Sequence, residues 1–196
     1  MPVTEALARL GLRPADDRAD AARMLETVGF AYLPLRVLSP GLDRLLGLRA
    51  LLGLRSPVNT VARLLDPFDA RASVDGVFHP YIALHLAAAE RLRRPRLLVV
   101  KGGGGEAERT PLKPVTAHLF DHALGHREIV LPATSREGSR STTDDIIAVW
   151  RGEAEGVALA TVLATLALAL LALGSVATAS EADARAVEIW RRREAM

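Results

Sequence analysis

Apolar and polar positions follow one period before Ser73 and another after it. Upstream the spacing is helical. TEALARLG, opened by Thr4 and closed by Gly11, and DDRADAARMLETVG, opened near Asp16 and closed by Gly29, predict two short helices. Ala22, Leu25 and Val28 would form the apolar stripe of the second. FAYLPLRVL reads as extended chain interrupted by Pro34, a connector or edge segment. Leucines at 42, 45, 46, 48, 51 and 52 then repeat at helical spacing, with Arg44 and Arg55 at the margins and an end near Gly53.

From Ser73 onward short apolar runs take over. SVDGVF, PRLLVVK, PVTAHLF and REIVLPA predict strands, and YIALHLAAAERLR between the first two predicts a crossover helix. The fold class expected is α/β, a partly parallel sheet flanked by helices. Residues 134–145 read as loop, with Asp144 able to cap the first of the C-terminal helices. VALATVLATLALALLAL, 157–173, carries no charge. It is shorter than a membrane span needs, and is diluted by alanines, Thr161 and Thr165, so it predicts a core helix closed by Gly174. No membrane association is expected.

Composition narrows the chemistry. The 196 residues, 49% of them hydrophobic, suffice for a substantial core, and the absence of cysteine excludes disulfides, thiolate metal sites and a cysteine nucleophile. Lys+Arg 25 against Asp+Glu 23 leaves a net charge of only +2. Lys101 and Lys113 are the only lysines, a bias that codon usage in a GC-rich genome explains without a polyanionic partner. The N-terminus lacks a cationic segment followed by an apolar one, so the expected location is cytoplasmic.

The strongest local chemical signal is LLVVKGGGGEAE, 97–108. Gly102, Gly103, Gly104 and Gly105 would let backbone N–H groups approach an anion, with Lys101 adding charge; the competing reading is a mobile turn. The run fits neither a dinucleotide fingerprint nor a P-loop. Glu106 and Glu108 are candidate ligands for Mg2+ held against a diphosphate. His79, before Pro80 at a strand-to-helix junction, is either a cleft residue or a helix cap. His118, His122 and His126 are spaced four apart, but the β-like PVTAHLF suggests that His118 ends a strand, so ordinary histidines are expected rather than a metal site. Ser141, Thr142 and Thr143 have no base placed by spacing and are not read as nucleophiles.

LRALLGLRSPVNTVARLLDPFDA, 48–70, followed by GVFHP and LLVVKGGGGEAE, resembles anthranilate phosphoribosyltransferase and its paralogues, the family-three glycosyltransferases, over nearly the whole chain. Arg49, Leu52, Gly53, Arg55, Asn59, Leu64, Leu65 and Pro67 match the family run; Ser56 replaces a threonine, and Ala62 and Arg63 replace Gly-Pro. The resemblance implies the C-terminal α/β domain of a nucleoside phosphorylase or phosphoribosyltransferase-type protein, here at 36–196 behind a helical leading segment at 1–35. It further implies Mg2+, a phosphoribosyl diphosphate-like donor, an aromatic or nitrogenous acceptor near Arg49 and Asn59, and a homodimer. Ser39 stands where the family often has an acceptor-pocket histidine, and Ala107-Glu108 where it has an acidic pair. The family's Thr-Gly-Gly-Asp loop and Lys-His-Gly-Asn-Arg segment do not occur in the chain. The expectation is therefore the C-terminal two-thirds or less of a family member, inactive alone. A nonenzymatic nucleic-acid-binding paralogue is the alternative, using Arg36, Arg44, Arg55, Arg63, Arg93, Arg94 and Arg96; a remnant that associates with a partner subunit is the third reading.

Overall fold

A computed structural model describes residues 3–54, 56–136 and 142–193; Arg55 and Ser141 lie outside the described residues. The chain forms two compact units, Met1–Asp69 and Ala70–Met196. The boundary between them falls between Asp69 and Ala70.

The first unit contains α1 (Val3–Arg9), α2 (Arg18–Val28), α3 (Leu35–Leu38), α4 (Pro40–Leu52) and α5 (Val58–Val61), the last continuing into a 3-10 turn at Ala62–Leu64. The cap of α2 is Asp17 rather than Asp16: its carboxylate accepts the Asp20 N–H at 2.7 Å. Asp16 instead donates its own N–H to the Asp20 carboxylate at 3.0 Å. Gly29 and Gly53 close α2 and α4 in the left-handed region, with φ of 75° and 68°. The expected stripe of α2 is not what the structure buries. Leu25 and Val28 are exposed, and the buried positions are Asp20 and Ala21. The segment around Pro34 is also not a plain connector. Tyr32 forms an isolated parallel bridge with Pro14, and Pro34 becomes the residue preceding α3, a position where its fixed φ suits a helix start.

Asp20 organises this unit. Its carboxylate accepts two bonds from Arg13, at 2.6 and 2.8 Å, and a third from Arg23 at 3.2 Å. The hydrogen bonds from Arg13, then the Asp16 N–H, hold it well below the usual carboxylate range. A depressed folded-state pKa contributes stability above the unfolded value, and that contribution is lost as pH falls. The first unit should therefore loosen as pH drops below about 4. Protection factors of the α2 amides, corrected for intrinsic exchange, should fall there in the wild type and lose that pH dependence in Asp20→Asn; the same fall in the variant would refute the assignment.

The second unit is built on a sheet of four strands among the described residues, in the order β1 (Ser73–Val77), β2 (Arg96–Lys101), β3 (Val115–Asp121), β4 (Gly125–Leu131). β1 and β2 are parallel, joined through α6 (Ile82–Arg91), and the two following pairs are antiparallel. The partly parallel α/β sheet read from the sequence is thus present. Alternation divides β2 between two cores. Leu98 and Val100 pack with Ala117, Leu119 and Leu131 under α8 (Val157–Leu173). Leu97 and Val99 pack with Val77 and Phe120 under Ile82 and Ala89 of α6.

α8 is the 17-residue uncharged run, closed by Gly174 as expected. Its alanines allow close approach to the sheet, and Ala164, Ala167, Leu168 and Leu171 are buried there. Among the described residues no helix is long and apolar enough to cross a membrane. α9 (Ala179–Arg192) covers α8 through Ala182 and Ala186. α7 (Thr143–Trp150) precedes them. Its cap is Thr142, not Asp144: Thr142 Oγ1 accepts the Asp145 N–H at 3.2 Å, while the Asp145 carboxylate accepts the Thr142 N–H at 2.7 Å.

Candidate functional site

The C-terminal ends of the parallel pair carry the residues of interest. β1 leads through Phe78 into a 3-10 turn at His79–Tyr81, and β2 ends on Lys101 before a second 3-10 turn at Gly103–Gly105. Beyond that turn the chain passes directly over β1. A Cβ on Gly76 would lie 1.9 Å from the Glu106 carbonyl carbon, and one on Gly102 would lie 1.5 Å from the Glu106 oxygen. These two glycines are sterically required, and Gly104 is required by its φ of 67°. Part of the hydrogen-bonding capacity expected for an anion is already used. Gly102, Gly105 and Glu106 donate their N–H groups to Val100, Gly102 and Gly103 carbonyls.

A buried arginine pins the segment that follows. Arg109 is wholly buried, its guanidinium donating to Asp183 at 2.5 Å and to the Pro132 carbonyl at 2.8 Å, and its N–H to Thr165 Oγ1 at 3.2 Å. This holds the neighbouring Glu108 at the edge of a cleft of about 1340 Å³. His79, Lys101, Gly102, Gly103 and Glu108 line the same cleft, with the α8 residues Thr161 and Thr165 on another wall. Gly104, Gly105 and Glu106 belong to the adjoining turn and do not line it. Arg49 and Asn59 lie in the first unit. Arg49 is exposed on α4, and the Asn59 amide donates to the Ser56 carbonyl at 3.1 Å.

His79 does not cap a helix through its side chain. His118 lies inside β3 rather than at its end, and β4 brings His126 and Glu128 beside it across the hairpin; His122 sits in the turn between. Burial lowers the His118 pKa below its ordinary value, the Glu128 carboxylate opposes the shift, and His126 and His79 add to it. Three groupings escaped the sequence reading. They are Arg109 with Asp183, the His118–His126–Glu128 cluster, and the buried pair in which His85 Nδ1 meets Asp75 Oδ2 at 2.8 Å. Only β1–α6 packing or hairpin register creates the last two, and Arg109 meets a residue 74 positions away.

Glu106 and Glu108 join no cluster of three metal-capable side chains among the described residues. Mg2+ needs only one or two carboxylates when substrate phosphates complete its shell, so Glu108 at the cleft edge suits such an ion. The arginine set proposed for nucleic acid is reduced. Arg96 is bonded to Asp121 and to the α8 carbonyls of Ala172 and Leu171, and Arg63 donates to the Asn59 carbonyl.

No family model matches the chain. Individual proteins do. Anthranilate phosphoribosyltransferase of Halobacterium salinarum is 29% identical over 164 residues, 78% of this chain and 49% of that protein. The Pelotomaculum thermopropionicum enzyme of the same name is 35% identical over 102 residues, 52% of this chain and 30% of that protein. The crystal structure of anthranilate phosphoribosyltransferase from Thermus thermophilus superposes with a TM-score of 0.70, covering 95% of this chain and 58% of that one at 24% identity.

The chain is similar to anthranilate phosphoribosyltransferases in sequence and in fold. The resemblance read from residues 48–108 therefore stands, and the structural likeness carries the fold. The chain spans about half the length, or less, of the curated relatives named here.

Proposed function

We propose that the second unit supplies the donor side of a transfer in which a phosphoribosyl or related pentosyl group passes to a nitrogenous acceptor. The observation that carries this reading is the gathering of His79, Lys101, Gly102, Gly103 and Glu108 around one cleft at the C-terminal end of a parallel strand pair. Lys101 would neutralise phosphate oxygens, and Gly103, whose Cβ position is open, would let the donor lie close to the backbone beside Gly102. Glu108, with Glu106 nearby, would hold Mg2+, which when bound offsets the charge of a departing diphosphate. Transfer through an oxocarbenium-like centre depends on such placed charge and requires no covalent nucleophile. By the family resemblance, Arg49 of the first unit would recognise an acceptor carboxylate, and Asn59 would belong to the acceptor-binding residues. A guanidinium there would favour a nitrogenous acceptor that carries a carboxylate.

The 196 residues contain no Thr-Gly-Gly-Asp loop. We therefore expect this chain by itself to give no turnover of phosphoribosyl diphosphate with anthranilate, and no saturable Mg2+-dependent binding of that donor by calorimetry. Micromolar affinity would show that the glycine turn is a sufficient anion site. The cleft assignment has its own test. Millimolar Mg2+-pyrophosphate should shift the amide resonances of residues 101–108, and Lys101→Ala should abolish those shifts; changes confined to other parts of the unit would overturn the reading.

A further inference from the structure

We propose that His118, His126 and Glu128 form a site for a divalent transition-metal ion, with Zn2+ the simplest case, on the β3–β4 hairpin. The inference does not depend on the proposed transfer reaction. It begins with register. His118 stands directly opposite Glu128, and His126 stands opposite Phe120, two residues further along β3. Side chains two apart share a face of a strand, so all three project from the same side of the hairpin, with the histidines on a diagonal. Arg127 and Leu119, which pair with each other between these positions, belong to the opposite face.

Distances then bring donor atoms together. One ligand atom from each of the three side chains lies within 4.8 Å of the others. The two imidazoles stack with centroids 5.7 Å apart and planes 15° apart, and His118 Nδ1 lies 3.4 Å from Glu128 Oε1. Bond lengths near 2.0–2.2 Å place tetrahedral zinc ligands about 3.3 Å from one another, so side-chain rotation alone can close the set. His126 and Glu128 are exposed and free to make that adjustment, while partly buried His118 provides a fixed point.

The donor set selects the class of ion. Two imidazole nitrogens and one carboxylate oxygen suit Zn2+, Ni2+ or Cu2+ and are a poor match for Mg2+ or Ca2+, which take oxygen shells. Three protein ligands leave a coordination position open, the arrangement found where zinc meets a water or a substrate. His118 and Glu128 also line the cleft that holds Lys101 and Glu108, so an ion there would share that cleft.

The experiment uses the untagged full chain, stripped with chelator and titrated with Zn2+ at neutral pH, both by calorimetry and in competition with a chromophoric zinc indicator. One equivalent should bind with micromolar affinity. His126→Ala and Glu128→Gln, both at exposed positions, should each weaken binding by more than about tenfold, while His122→Ala leaves it unchanged. Circular dichroism of each variant would establish that the fold persists. Co2+ in place of Zn2+ should give the intense visible bands of a low-coordinate ion, lost in His126→Ala. Absence of saturable binding, or binding insensitive to His126→Ala and Glu128→Gln, would overturn the proposal and leave an ordinary His118–Glu128 contact.

Discussion

Asp183→Ala should cost the second unit about 3–5 kcal/mol of stability, because it strands a wholly buried guanidinium without its counter-charge. Arg109 would keep its bond to the Pro132 carbonyl, but a carbonyl neutralises no charge. Both tryptophans, Trp150 and Trp190, lie in this unit, so fluorescence-detected urea unfolding reports on it directly. The double change Arg109→Met with Asp183→Leu should recover much of the loss, since removing both charges removes the desolvation cost as well. A loss below about 1 kcal/mol in Asp183→Ala would place the pair among solvent-screened surface bridges. The consequence extends to the cleft, because Arg109 anchors the strand of chain that presents Glu108.

Gly76→Ala should destabilise the same unit by about 3 kcal/mol, at the upper end of ordinary overpacking. The new Cβ would sit 1.9 Å from the Glu106 carbonyl carbon and 2.2 Å from the Ala107 nitrogen, and both are backbone atoms that no rotamer change can move aside. The crossing segment must lift from β1, carrying Glu106 and Glu108 with it. Gly103→Ala is the matched control: its Cβ meets nothing within 4 Å, so its effect should remain within about 0.5 kcal/mol. Comparable midpoints for the two variants in urea would refute the close approach.

Much of the second unit was legible because its elements have strong one-dimensional signals. The uncharged run at 157–173 is helical over that span, and the four apolar runs after Ser73 are strands, the first two of them joined by a crossover helix. What the sequence concealed depends on partners distant along the chain or across a turn. The helical spacing of His118, His122 and His126 misleads, because the hairpin folds His126 back beside His118 and leaves His122 at the tip. In α2 the apolar residues suggested one face, but an arginine-bound carboxylate fixed which face is buried. The glycines at 102–105 were singled out for ligand approach. Gly102 is required for packing against Glu106, whereas Gly103 is sterically unconstrained, a distinction invisible without the chain crossing over β1.

The spatial order of the strands repeats their order in the chain. As the polypeptide leaves a ribosome, each new strand can therefore add to the edge made just before it, without waiting for a distant partner, and loop-closure costs stay low. The two faces nevertheless mature at different times. α6 is available to shield its side as soon as β2 has formed, whereas Leu98, Val100, Ala117, Leu119 and Leu131 stay bare until α8 is synthesised. A nascent chain paused within residues 132–156 would present that naked sheet to chaperones, and the late arrival of an Ala- and Leu-rich helix becomes the step that commits the unit to its native state.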